Sequence, residues 1–130
     1  LLEHAAFTVA QNVVVADRSG GAIFECEAGG LRRRPTDPGP CVATNAHLED
    51  LLTSRGGRRY ARLTSACQGG GMDAGSLLAA LRAVSIGSMN VQCCIFRLGT
   101  MRAKISLADC PASHGPFHEV DLGAWLEERP

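Results

Sequence analysis

The first half of the chain alternates short apolar runs with turn residues. Gln11-Asn12-Val13-Val14-Val15-Ala16-Asp17 is β-branched at its centre and predicts a strand. Arg18-Ser19-Gly20-Gly21 has the composition of a tight turn, and Ala22-Ile23-Phe24-Glu25-Cys26-Glu27 predicts the returning strand of a hairpin. Period-two alternation sets Ile23 and Glu25 on one side of that strand and Phe24 and Cys26 on the other. After the turn Ala28-Gly29-Gly30, Leu31-Arg32-Arg33-Arg34 reads as a short edge strand whose exposed charges discourage further pairing. A proline-rich loop at 35–40 ends it. Cys41-Val42-Ala43-Thr44-Asn45 then predicts a short apolar strand that stops at a polar residue. Ahead of all this, Leu1 to Phe7 reads like the last turns of a helix already under way.

The period changes in the second half. Tyr60, Leu63 and Cys67 are at helical spacing within Arg58 to Cys67, and Gln68-Gly69-Gly70-Gly71 ends that helix. Asp73 is a natural N-cap for a helix carrying Leu77, Leu78, Leu81 and Val84. Val91–Arg97 and Met101–Ala108 read as two strands joined by Leu98-Gly99-Thr100, followed by Phe117–Leu122 and a polar end around Trp125. Strands, then helices, then strands predict an α+β fold with antiparallel sheets. No repeat or linker divides residues 1–130, which are therefore expected to form one domain.

Composition narrows the function classes. A content of 45% hydrophobic and 20% charged residues excludes wholesale disorder. Thirteen basic against thirteen acidic side chains leave no net charge to attract nucleic acid or an anionic membrane. No apolar run approaches the roughly 18 residues of a membrane-spanning helix, and Glu3 and His4 interrupt the opening apolar residues where a secretory signal would lie. The six cysteines (Cys26, Cys41, Cys67, Cys93, Cys94 and Cys110) include no Cys-x-x-Cys pair, which leaves no metal site to expect. In apolar runs without a secretion signal, they are expected to be reduced thiols of a cytoplasmic protein.

The familiar catalytic signatures are missing: no nucleophile elbow, phosphate loop or His-Glu-x-x-His helix occurs. One polar constellation remains. Asn45 closes an apolar run, where its amide either satisfies local backbone groups or donates to a developing oxyanion. His47, two residues on, either lines the same cleft or lies at the surface. Arg55, Arg58, Arg59 and Arg62 put four guanidinium groups in eight residues; they either solvate a helix start or bind a carboxylate. Arg59 precedes Tyr60, a core anchor, and so sits at the edge of the buried face. Gly115 and Pro116 separate His114 from His118, so the two do not share a helical face for a metal.

Several of these segments, in order, resemble the isopenicillin N acyltransferase family of N-terminal-nucleophile cysteine hydrolases. Asn12 to Gly21 with Ile23-Phe24-Glu25 is similar to the family's Asn-Phe-hydrophobic-Ala-Asp-x-x-Gly hairpin. Ala43-Thr44-Asn45-Ala46-His47-Leu48 looks like its Thr-Asn-His-Phe segment, with the histidine displaced by one. Ser54-Arg55 and Arg59-Tyr60-Ala61-Arg62-Leu63 match its Ser-x-x-Arg-x-x-x-Leu helix start. Met101 to Ala108, Cys110-Pro111 and Gly115-Pro116-Phe117-His118-Glu119 resemble its terminal strand and its Gly-x-Pro-Cys and Phe-x-x-Tyr/Val region.

The resemblance implies that residues 1–130 are the C-terminal portion of an αββα sandwich with antiparallel sheets. It implies hydrolysis or transfer at linear amide or acyl thioester bonds, with no cofactor and acyl-CoA entering only as substrate. Asn45 would be the oxyanion donor and Arg59 the arginine beside the nucleophile, with His47 and Arg58 near the substrate. The nucleophilic cysteine, exposed in the family by self-cleavage of a precursor, has no counterpart here. The implied partners are a small amide or acyl substrate and a missing N-terminal portion that carries this cysteine. Two other readings stay open at this point: a non-catalytic α+β module that binds through its arginine-rich helix start, and a truncated reading frame without independent activity.

Overall fold

The computed structural model describes residues 10–34, 39–45, 47, 57–107 and 109–127. The expected opening helix at Leu1–Phe7 and the segment Ser54-Arg55 lie outside the described residues. The fold is α+β, with two small antiparallel sheets of three strands each. Its contacts divide into two compact units, residues 1–70 and 71–130.

In the first unit, β1 (Gln11–Ala16), β2 (Gly21–Glu27) and β3 (Gly30–Arg33) pair in the order β1-β2-β3. The β1–β2 turn forms because the Asp17 carboxylate accepts from the Ser19 backbone N–H at 2.7 Å, the Ser19 hydroxyl at 2.6 Å and the Gly20 N–H at 3.0 Å. The Ser19 hydroxyl, followed by the two backbone donors, holds the Asp17 carboxyl below the usual carboxylate range. The register sets Asn12, Glu25 and Arg32 in one cross-strand row. Arg34 continues this register two pairs along from that row, through its N–H to the Ile23 carbonyl at 2.9 Å. Directly opposed residues share a face, so Asn12, Ile23, Glu25, Glu27 and Arg34 all lie on the same side of the sheet.

Two expectations change here. Cys41–Thr44 is not a strand but an irregular segment. Its apolar residues bury, as in Val42, but its carbonyls accept from side chains rather than from a ladder. Arg34, read as an exposed edge charge, is only 3% exposed. Helix α1 (Gly57–Cys67) half-buries Tyr60, Leu63 and Cys67, the predicted face. It ends in Gly70 and Gly71, whose φ values of 64° and 63° are open to glycine.

The second unit starts with α2 (Ala74–Ala83), capped as predicted: Asp73 accepts from the Ser76 N–H at 2.7 Å. Bonds from Ser76, backbone first, hold the Asp73 carboxyl below its ordinary range. The second sheet is β4 (Gln92–Arg97), β5 (Arg102–Leu107) and β6 (His118–Asp121), in that order. β6 pairs antiparallel with β5, and exposed opposite charges flank the ladder: Arg102 lies 3.7 Å from Asp121, and Lys104 lies 3.6 Å from Glu119. A short helix, α3 (Leu122–Glu127), follows β6. Cys93, Ile95, Ala103, Ala112 and Val84 are the buried apolar residues of this unit, with Ala103 on the opposite sheet face from Cys93 and Ile95. Asn90 fixes the loop over it. Its carbonyl accepts from the Ala112 N–H at 2.7 Å, and its side-chain oxygen accepts from the Ser113 N–H at 2.9 Å. No helix among the described residues is long and apolar enough to cross a membrane.

All six cysteines are free thiols. Burial pushes the thiols of Cys26 and Cys93 upward, with Cys94 adding to the shift at Cys93 and Arg82 opposing it. Alkylation under native conditions is therefore expected to modify exposed Cys110 first and to spare Cys26 and Cys93 until denaturant is added; mass spectrometry of a time course reads the order. The Asp73 cap carries a pH dependence as well. Its folded carboxyl is depressed, so its stabilising effect is complete above the ordinary, unfolded carboxylate value and lost as pH falls through the lower folded value. Thermal melts should show that Asp73→Asn, still a good cap, removes this part of the acid sensitivity, whereas Asp73→Ala lowers stability at pH 7.

Candidate functional site

Residues 41–45 and 47 run along the odd-numbered face of β2, and the anchors follow the strand in order. A Cβ placed on Gly21, at the start of β2, would sit 3.3 Å from Cys41 Sγ, so the absent side chain makes room for Cys41. Next, Arg34 Nη1 donates to the Val42 carbonyl at 3.1 Å. Asn12 Nδ2 donates to the Thr44 carbonyl at 2.6 Å. Finally, His47 Nδ1 lies 2.8 Å from Glu27 Oε1, at the far end of the strand. Against a carboxylate oxygen, Nδ1 is the donor.

The anchors differ in cost. Arg34 and Glu25 form a buried ion pair, each 3% exposed. Arg34 Nε and Nη2 both donate to Glu25 Oε1, at 3.0 and 2.8 Å, and Arg32 Nη2 donates to the other carboxylate oxygen at 2.6 Å. A buried guanidinium needs acceptors for the rest of its fork, and the Val42 carbonyl is one of them.

Asn45 is held from a different direction. Arg59, half-buried in the first turn of α1, donates from Nη1 to Asn45 Oδ1 at 3.1 Å. Guanidinium has no acceptor, so this contact fixes which end of the amide faces the helix. The oxygen meets Arg59, and the two N–H donors are turned away from it. The structure thus brings together two of the sequence-derived candidates, Asn45 and Arg59. Arg58, the alternative arginine, is exposed. His47, expected in the same cleft, has Glu27 as its partner; its side chain is 12% exposed, with Nε2 enclosed and without a hydrogen-bond partner among the described residues.

Asn12, Glu25 and Arg34 escaped sequence reading as contributors to this arrangement. Period two does put Asn12, through the hairpin register, beside Glu25. Nothing local shows that a distant irregular segment covers that row. Among the described residues no group of three His, Cys, Asp or Glu side chains is arranged to hold a metal ion.

Removing the Glu25 carboxylate would leave Arg34 charged, buried and unpaired. Glu25→Ala is expected to destabilise the first unit by about 3–5 kcal/mol, as measured by urea unfolding. A loss below about 1 kcal/mol would mean that the pair is solvated in solution. No family model, curated protein or solved structure matches the chain.

Proposed function

We propose that this chain supplies the oxyanion-binding part of a cysteine N-terminal-nucleophile amidohydrolase or acyltransferase acting on linear amide or acyl thioester bonds. The observation that carries the reading is the meeting of three segments far apart in sequence. Asn12 from the first hairpin holds Thr44, and Arg59 from α1 holds Asn45. These are three of the four segments on which the family resemblance rests, and the contacts orient the Asn45 amide with its donors away from Arg59.

In this reading the nucleophile comes from a segment outside residues 1–130. Its thiolate attacks the carbonyl carbon, forming a C–S bond while the carbonyl electron pair moves to oxygen. The nucleophile's α-amino group takes the thiol proton. Asn45 Nδ2 donates to the oxyanion, and Arg59 keeps the amide in that orientation. Collapse breaks the C–N bond of an amide, or the C–S bond of a thioester, and the leaving group carries the proton away. Water or an amine then releases the acyl group. The reaction needs no cofactor; acyl-CoA would enter as a donor substrate. His47 and Arg58 lie at neighbouring sequence positions for substrate contacts.

The αββα architecture is part of the same proposal. On the second sheet, Phe96 and Leu107 are each 56% exposed, on the face that also carries Cys94, Ile105 and Val120. Another layer packed on that face would cover it. The six free thiols support a reducing, cytoplasmic setting.

The test uses the complete reading frame with its nucleophile, assayed on chromogenic linear amides and on an acyl thioester with an amine acceptor. Asn45→Asp retains an acceptor for Arg59 but lacks the donor. It is expected to lower kcat by about 10²–10³-fold, as loss of one oxyanion donor does, with the fold unchanged by circular dichroism. Residues 1–130 alone should be inactive. Wild-type turnover in the Asn45→Asp enzyme would remove Asn45 from the site.

A further inference from the structure

We infer that Glu25 and Arg34 are positioning residues: their buried pair exists to fix the segment that presents Asn45. Stability alone is a poor explanation for the pair. Two charges taken out of water lose hydration that their mutual attraction rarely returns in full, and apolar side chains of similar volume would fill the same space as well or better. What apolar side chains would not do is reach out of the sheet and hold a carbonyl. Arg34 Nη1 does so, and the carbonyl belongs to Val42, three residues before Asn45.

The geometry leaves Arg34 little freedom. Nε and Nη2 are committed to one oxygen of Glu25, which fixes the plane of the guanidinium. Arg32, directly opposite Glu25 in the ladder, holds the second oxygen at 2.6 Å. Nη1 can then point in only one direction within that plane, and Val42 is found there. Asn12 repeats the device two residues on, at Thr44, from the neighbouring strand. Asn45 is the next residue, and Arg59 takes its side-chain oxygen. The sheet therefore sets the backbone on the N-terminal side of Asn45, and α1 sets its amide. The inference concerns the position of Asn45; its consequence for turnover rests on the function proposed above.

The test separates position from stability and from catalysis. The 130-residue chain, labelled with ¹⁵N, is compared with the charge-free variant Glu25→Leu/Arg34→Met and with Arg34→Lys. The double variant removes both charges together, so no buried charge is left unpaired and the sheet is expected to fold. Lys keeps the charge beside Glu25 but is a compact point donor on a flexible stem, without the planar fork that ties Glu25 and Val42 into one fixed geometry. In both variants, backbone order parameters at residues 42–45 should fall from about 0.85 to below about 0.6, while those of β1 and β2 stay at the rigid value. The Asn45 side-chain amide signals should move toward those of a solvated asparagine.

Unchanged order at 42–45 in either folded variant would overturn the inference, whatever the variant's melting temperature. If the double variant does not fold, Arg34→Lys decides. In the complete enzyme the same variants should lower kcat with KM unchanged. Loosening of 42–45 together with full activity in Asn45→Asp would leave the positioning role standing and remove the proposed function.

Discussion

The arrangement of the first unit follows from one constraint: a guanidinium has been taken out of water. Arg34 must find acceptors inside the protein, because an unmet buried donor costs more than a hydrogen bond usually returns. Glu25 supplies the counter-charge from the neighbouring strand, and the Val42 carbonyl takes a donor that Glu25 does not. An irregular segment with no ladder of its own is thereby tied to a sheet face. Gly21 leaves room for its first residue, Asn12 holds its Thr44 carbonyl, and Glu27 meets His47. Asn45 lies between these anchors and is completed by Arg59.

The two units solve the same problem with different chemistry. Each has a three-stranded antiparallel sheet with a non-strand segment tied to it, irregular at 41–45 in the first unit and a 3-10 turn at Ala112–His114 in the second. In the second unit the loop at Ala112–Ser113 is held by Asn90 and by Arg82, whose Nε donates to the Ser113 carbonyl at 2.7 Å. There the fixing groups are mostly neutral, and the buried residues beneath carry no charge. In the first unit they include a buried charge pair. The charged solution is the more demanding in geometry, and it is the one adjacent to the candidate site.

The parts of the fold legible in sequence are those set by local chemistry. The first hairpin follows from a β-branched run, an Asp-x-Ser turn and period-two alternation. Asp73 and the Gly70-Gly71 pair mark helix ends because capping and left-handed backbone depend on single residues. β6 is less legible. His118-Glu119-Val120-Asp121 has one apolar residue, and its ladder partner β5, with the opposite charges that face it, is out of reach of a local reading. Cys41–Thr44 reads like a strand because apolar content reports burial, not hydrogen-bond partners. Arg34 reads as exposed because its partners, Glu25 and the Val42 carbonyl, lie nine and eight residues away in sequence. At the candidate site, Asn45 and Arg59 are legible as residue types with plausible chemistry. Their contact, and the part played by Asn12, Glu25 and Arg34, depend on long-range register.

Side chains of the sheet hold the segment presenting Asn45, and the Asn12 side-chain amide reports on this most directly. In a ¹⁵N-resolved NOE spectrum of the wild-type chain, its protons should exchange slowly and show cross-peaks to the α protons of Thr44 and Asn45. An Asn12 amide that exchanges as fast as a solvated asparagine, with no cross-peak to residues 44–45, would contradict the account.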